Sequence, residues 1–129
     1  MQSWSRLCCP VDFSAASRTA LQHAAYLASA LNGELTLVHV RPAPSISRDL
    51  EQELDCRLAA WARDAEWRAN GEVTSMVRMG HPGDEILGLA REGRFDVFVL
   101  GTRGLIALGS AVEQVMLLTS CPVVVVRET

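Results

Sequence analysis

Apolar runs alternate with amphipathic segments along the whole chain, and this pattern predicts five strands and four helices. Short runs rich in β-branched and aromatic residues are typical of strands buried on both faces, whereas apolar positions three or four residues apart indicate helices. The predicted strands are Leu7–Val11, Glu34–Val40, Val73–Met79, Phe95–Leu100 and Val123–Val126. One helix is predicted in each of the four connections. We therefore expect an α/β fold, a single doubly wound sheet of five parallel strands with helices on both faces.

Polar residues indicate where the helices begin and which strand is exposed. Ser14 and Ser110 can cap the first and last helices, because a serine oxygen accepts hydrogen bonds from the free amides of a first turn. The second helix is predicted from about Ser47 to Asn70, with one apolar stripe formed by Leu50, Leu54, Leu58, Trp61 and Ala65. The strand Val73–Met79 is less apolar than the others, so we expect it near an edge of the sheet.

Length and charge limit the classes of function. The 129 residues predict one domain, residues 1–129, and leave no room for a separate catalytic domain. A net charge of −3 without a basic run argues against nucleic-acid binding. Every apolar run is shorter than the roughly 18 residues that a membrane span needs, and the first residues lack the apolar core of a signal peptide. We expect a cytoplasmic protein that binds no membrane.

The cysteines and the basic residues exclude several chemistries. Cys8, Cys9, Cys56 and Cys121 have neither metal-ligand spacing nor a CxxC motif, and we expect reduced core cysteines. Cys8 and Cys9 should point to opposite faces of the first strand. All twelve basic residues are arginine. Mechanisms that require a lysine, such as that of the P-loop or Schiff-base chemistry, are therefore excluded.

The carboxyl ends of the strands are the expected place for a ligand, as in other doubly wound sheets. The residues that follow the apolar runs are Asp12, Val40 with Arg41, Gly80 with His81, and the turn Gly101–Ser110. This turn can bind an anion through backbone amides and the start of the last helix, or it can be a plain connection. Asp12 can accept hydrogen bonds from a ribose hydroxyl or an adenine amino group, or it can bond the amides of the turn before Ser14.

Short segments throughout the chain carry a resemblance to a known family. They are Cys9–Ser14, Leu37–Val40, Gly80–Pro82, Asp96–Gly104 with its GTRG turn, Gly109–Ser110 and Cys121–Val126. Together and in this order they resemble the universal stress protein family, over almost the whole chain.

The resemblance implies a Rossmann-like fold, similar to the adenine nucleotide α hydrolases, with strand order 3-2-1-4-5. It also implies a cytoplasmic homodimer paired through the last strand. Some members of the family bind ATP, and others bind no nucleotide. If this chain is a binder, the expected ligand is ATP or AMP with Mg²⁺. The nucleotide-binding residues implied for this chain are Pro10, Val11, Asp12, Val40, Gly101, Arg103, Gly104, Gly109, Ser110 and Ala111.

The chain departs from the family's nucleotide-binding pattern between Gly104 and Gly109. It has four apolar residues there, Leu105–Leu108, where the binders have nine residues. The five missing residues shorten the loop by up to about 16 Å of extended chain. A full ATP mode is therefore less favoured than an adenosine or monophosphate mode that depends on Asp12 and Val40. The alternative is a nucleotide-free homodimeric interaction module that acts through protein partners, in which the glycines are purely structural.

The sequence predicts no catalytic and no metal-binding residues. His23 fits an exposed position on the first helix, and His39 fits a core or rim position on the second strand. His81 is best placed for chemistry, at a strand end, but it lacks a visible acid partner. Receiver-like phosphorylation of Asp12 is disfavoured, because the acidic pair and the lysine of such sites are missing. Weak ATP hydrolysis is the most that we expect.

Overall fold

The computed structural model describes residues 4–41, 47–102 and 110–127 and has the predicted architecture. Its elements, in chain order, are β1 (Arg6–Pro10), α1 (Ala15–Leu31), β2 (Glu34–Arg41), α2 (Arg48–Ala69), β3 (Val73–Met79), α3 (Pro82–Arg91), β4 (Val97–Thr102), α4 (Ser110–Leu118) and β5 (Val123–Arg127). The strands form one parallel sheet in the order β3-β2-β1-β4-β5. The prediction of a five-stranded parallel sheet is confirmed, and so is the strand order.

The direction in which the chain crosses the sheet fixes which helices cover which face. The chain moves from β1 outward to β3, then returns past β1 to β4 and β5. Since such crossovers are right-handed, α1 and α2 cover one face, whereas α3 and α4 cover the other. The order reverses between β1 and β4. The crevice at their carboxyl ends is therefore the place where a doubly wound sheet binds a ligand.

Two hydrophobic cores lie on the two faces of the sheet, and the adjacent cysteines of β1 belong to different ones. Cys9 packs in the core under α1 and α2, and Cys8 packs in the core under α3 and α4. Burial raises the pKa of the Cys9 thiol to about 12 and that of Cys8 well above its ordinary value. Both are the core cysteines that the sequence predicts. Cys56 is exposed on α2, so that prediction is wrong for it.

Helix α2 is longer than the sheet that it covers. Its 22 residues span about 33 Å, whereas the eight residues of β2 span about 27 Å. The apolar stripe is buried at Leu58 and Ala65, but Leu50 in the first turn is 41% exposed. The predicted stripe is thus wrong at Leu50, because the first turn of the helix extends past the core. Ser14 and Ser47 cap α1 and α2 by accepting hydrogen bonds from backbone amides, as expected for Ser14.

The outer strands differ from the central ones. β3 lies at one edge and most of its residues are partly or fully exposed, which confirms the prediction. β5 lies at the other edge, and three of its four valines are only partly buried.

β4 begins at Val97, two residues later than predicted, and extends to Thr102. Gly101 is consequently a strand residue that pairs with Val126 and does not begin the turn.

Candidate functional site

Asp12 follows β1 directly, at the carboxyl edge of the sheet. Its Oδ1 accepts a hydrogen bond from the backbone amide of Ser14 at 3.0 Å, so the turn-bonding alternative is observed. The Asp12 residue is nevertheless exposed. Burial by itself would raise the pKa of Asp12, but hydrogen bonds from Ser14 and Ser17 outweigh this effect and the pKa lies below its ordinary value. The carboxylate is therefore ionised at neutral pH and can act only as an acceptor.

The predicted site residues of β1 and β2 lie side by side. Pro10 is paired with Val38 in the parallel ladder, and the Val11 amide donates to the Val38 carbonyl at 2.8 Å. The ladder ends at this pair, and Asp12 and Val40 each follow it by two residues on neighbouring segments of the chain. Pro10, Val11, Asp12 and Val40 therefore form one continuous segment of the carboxyl edge.

An aromatic cluster that no sequence pattern indicates supports this edge. Phe13 has a positive φ of 65°, which is unusual for a bulky residue. Its ring lies 4.7 Å from the ring of His39 and 5.1 Å from that of Trp61, which meets it edge-on. Two guanidinium groups cover the cluster: that of Arg18 lies 4.4 Å from the centre of the Trp61 ring, and that of Arg57 lies 5.9 Å from the centre of the Phe13 ring. No spacing rule could have found contacts between residues so far apart in sequence.

His39 is buried and hydrogen-bonded, as the sequence predicts. Its Nδ1 lies 2.9 Å from the carbonyl oxygen of Val11. A carbonyl can only accept, so Nδ1 carries the hydrogen and donates it. His23 is exposed on α1, also as predicted.

Arg41 ends β2 with a buried guanidinium group. Its side chain is only 6% exposed and pairs with Asp55 of α2 at 2.5 Å, whereas Asp55 is 60% exposed. The Nε atom of Arg41 has no hydrogen-bond partner in the part of the chain that the structure describes. This arginine therefore attaches the overhanging first half of α2 to the sheet.

Gly101 has a structural explanation apart from any ligand. A Cβ at this position would lie 2.3 Å from the carbonyl oxygen of Ala16, in the first turn of α1. The absence of a side chain thus lets α1 approach the sheet beside the Asp12 turn. The sequence predicts the start of a turn at Gly101, but the close contact comes from a helix about 85 residues earlier in the chain.

His81 and the turn around it have more partners than the sequence indicated. Gly80 has a φ of 140° and donates its amide to the carbonyl of Arg41 at 2.7 Å. The Nδ1 atom of His81 lies 3.9 Å from a carboxylate oxygen of Asp84, so the expectation that it lacks an acid partner is wrong. Both side chains are exposed, and the contact is too long for a direct hydrogen bond.

The remaining site predictions fall on other parts of the chain. Arg103, Gly104, Leu105–Leu108 and Gly109 lie outside the described residues, as do the side chains of Ser110 and Ala111. Within the described ranges, no cluster of three or more histidine, cysteine, aspartate or glutamate residues could hold a metal ion. The helices of those ranges include none that is long and apolar enough to cross a membrane.

The strand order and the helices on both faces define a doubly wound α/β protein, with Asp12 exposed at the carboxyl edge where the strand order reverses. A family model described as the universal stress protein family matches residues 3–127, and the chain belongs to this family. The resemblance found in the sequence is confirmed.

Three relatives show how far the similarity extends. A universal stress protein of Bacillus subtilis (strain 168), YxiE, is 26% identical over 147 aligned positions that cover 96% of this chain and 99% of the relative. The structure of UspA from Lactobacillus plantarum is 26% identical, covers 98% of this chain and 100% of its own, and has a TM-score of 0.73. A universal stress protein from Archaeoglobus fulgidus in complex with dAMP is 20% identical, covers 97% and 98%, and has a TM-score of 0.77. At this level of identity, the similarity to the Archaeoglobus fulgidus protein shows a shared fold and nothing more.

Proposed function

We propose that this protein binds an adenine nucleotide as a regulatory ligand in a stress response, at the carboxyl ends of β1 and β2. The observation that carries the proposal is the state of Asp12. Its carboxylate is exposed and ionised, and it is fixed by the turn at the place where doubly wound sheets bind ligands. Such a group accepts hydrogen bonds from ribose hydroxyls or from an adenine amino group.

The neighbouring groups support a nucleoside more directly than a triphosphate. Pro10 and Val40 lie on the same edge as Asp12 and are partly exposed, so they offer apolar surface to a base. Val11 is buried, and its amide and carbonyl are already bonded to Val38 and His39, so its part is to hold the edge in place. The fold relative from Archaeoglobus fulgidus was solved with dAMP, a monophosphate. We therefore favour adenosine or AMP over a full ATP mode.

The phosphates would lie toward the start of α4. Their proposed contacts are Gly101, Arg103, Gly104, Gly109, Ser110 and Ala111. The short segment between Gly104 and Gly109 offers less backbone to a triphosphate than the longer family loop. If ATP binds, Mg²⁺ would be held mainly by its phosphates, as is usual for this ion.

The second candidate is a nucleotide-free homodimer that acts through protein partners in the cytoplasm. The observation that favours it is the apolar surface near the last strand. Leu117 at the end of α4 is 80% exposed, and the edge strand β5 carries partly exposed valines. Pairing two β5 edges would cover such a surface and satisfy the open edge. A homodimer is compatible with both candidates.

Calorimetric titration tests the proposal, with adenosine, AMP and ATP as ligands and with ATP measured both with and without Mg²⁺. Mass spectrometry must first show that the purified protein carries no nucleotide. Wild type should bind AMP. Asp12→Ala should weaken it by about 1 to 3 kcal/mol, because an acceptor facing the ligand is lost. Asp12→Asn keeps an oxygen for the Ser14 amide, so any loss that it shows cannot come from collapse of the turn.

Asp64→Ala is the matched control, because it removes an exposed carboxylate of α2 that pairs with Arg68 of the same helix. It should leave the affinity unchanged. Equal binding by wild type and both Asp12 variants would remove Asp12 from the site. No binding by folded, empty wild type would refute nucleotide regulation and leave the interaction module.

A further inference from the structure

The turn that carries Asp12 is held on both sides by one buried side chain. On one side, His39 donates its Nδ1 hydrogen to the carbonyl of Val11 at 2.9 Å. On the other side, its ring supports the ring of Phe13 at 4.7 Å. Asp12 lies between these two contacts. His39 therefore fixes the residues immediately before and after the carboxylate.

The conformation of Phe13 shows why such support is needed. A φ of 65° is a strained backbone angle for a bulky residue, and it persists only where the surroundings enforce it. The enforcing contacts are the ring of His39 and the edge-on ring of Trp61. Without them, the turn would relax toward ordinary backbone angles and move the Asp12 carboxylate.

We propose that His39 is a positioning residue for the nucleoside site, which acts through Val11 and Phe13 to fix the carboxylate of Asp12 in its binding geometry. The inference rests on the proposed nucleotide binding. His39 itself is 7% exposed, and it need not touch the ligand. Its effect on affinity comes from the order of the turn.

Two substitutions separate the hydrogen bond from the bulk of the side chain. His39→Leu fills a similar space but donates nothing to Val11. His39→Asn carries an amide nitrogen on the same carbon that bears Nδ1 in histidine, so it can restore the donor. The matched control is His23→Leu: His23 also bonds a backbone carbonyl through Nδ1, that of Thr19 at 2.9 Å, but it lies exposed on α1.

The first measurement is AMP affinity by calorimetry, at a temperature where every variant is fully folded by circular dichroism. His39→Leu should bind about tenfold or more weakly. His39→Asn restores the donor but not the ring contact with Phe13, so it should bind at least about threefold more tightly than His39→Leu but more weakly than wild type. His23→Leu should bind like wild type. A general loss of stability would not be rescued by asparagine, so the rescue identifies the donated hydrogen bond.

The second measurement needs no ligand. Amide hydrogen exchange over residues 11–14 should be faster in His39→Leu than in wild type and intermediate in His39→Asn, with α2 unchanged in both. The inference would be overturned if hydrogen exchange in His39→Leu is the same as in wild type. It would also be overturned if wild type binds AMP and His39→Leu binds it equally well. If wild type binds no nucleotide, the proposed function fails, and exchange alone then decides whether His39 orders the turn.

Discussion

Replacing Gly101 by alanine should force α1 away from the sheet. A Cβ at this position would lie 2.3 Å from the carbonyl oxygen of Ala16, 2.7 Å from its carbonyl carbon and 3.2 Å from the amide nitrogen of Ser17. All three atoms are backbone atoms in the first turn of α1. They cannot yield by a change of rotamer, so the helix itself must move.

The size of the effect follows from these distances. Ordinary contacts of a Cβ begin near 3.4 Å, so the first turn must retreat by roughly 1 Å and lose part of its packing on β4. Overpacking of a well-packed interior typically costs about 1 to 3 kcal/mol. Because the clash is with backbone, we expect Gly101→Ala to lie in the upper half of this range.

Urea denaturation followed by circular dichroism measures the change, with Gly88→Ala as the matched control. Gly88 lies inside α3, and a Cβ there would meet nothing within 4 Å. Since alanine is a better helix former than glycine by about 1 kcal/mol, this control should be slightly more stable than wild type. The two glycine-to-alanine changes should thus shift the unfolding midpoint in opposite directions.

A Gly101→Ala protein that unfolds at the same urea concentration as wild type would refute the close approach of α1. The same experiment bears on the phosphate role predicted for Gly101. If the variant is destabilised in the absence of any nucleotide, the glycine is needed by the fold whether or not it also contacts a ligand.

Two further predictions concern charged groups. Asp55→Asn should lower the free energy of unfolding, measured in urea, by about 1 to 3 kcal/mol, because the buried Arg41 loses its anionic partner. The control Asp64→Asn should lower it by under about 0.5 kcal/mol, because its partner Arg68 is half exposed. Equal losses in the two variants would contradict this reasoning. The hydrogen bond from Arg6 holds the pKa of Asp96 well below its ordinary value, so the stabilisation is complete above about pH 4 and is lost as the pH falls further. Stability measured from pH 7 to pH 2 should therefore depend less on pH in Asp96→Asn, and a parallel curve would count against this pair.

The fold could be predicted from the sequence because its signals are local. Each strand is a short apolar run, and each helix has its own period and polar start, as at Ser14. The predicted bounds of β4 are wrong by two residues at each end, since Gly101 indicates a turn when only its neighbours in sequence are considered. Its pairing with Val126 keeps it in the strand, and the close approach of the distant first turn of α1, which no local pattern contains, leaves no room for a side chain.

The candidate site was predictable in outline but not in its supports. Strand ends in a doubly wound sheet indicate Asp12 and Val40 without any structure. The contacts that fix the turn around Asp12, by contrast, come from His39 of β2 and Trp61 of α2. Phe13 and Trp61 each look like ordinary apolar residues in the sequence, and only the packing of α2 over β2 brings them together.

The adjacent thiols of β1 can serve as separate reporters of the two helical layers. Cys9 is covered by α1 and α2, and Cys8 by α3 and α4, although one peptide bond joins them. A thiol reagent reaches each cysteine only when the layer above it opens. Pulse labelling of the native protein, read residue by residue, would therefore show which half of the sandwich detaches first and whether the central strand ever becomes accessible from both sides at once.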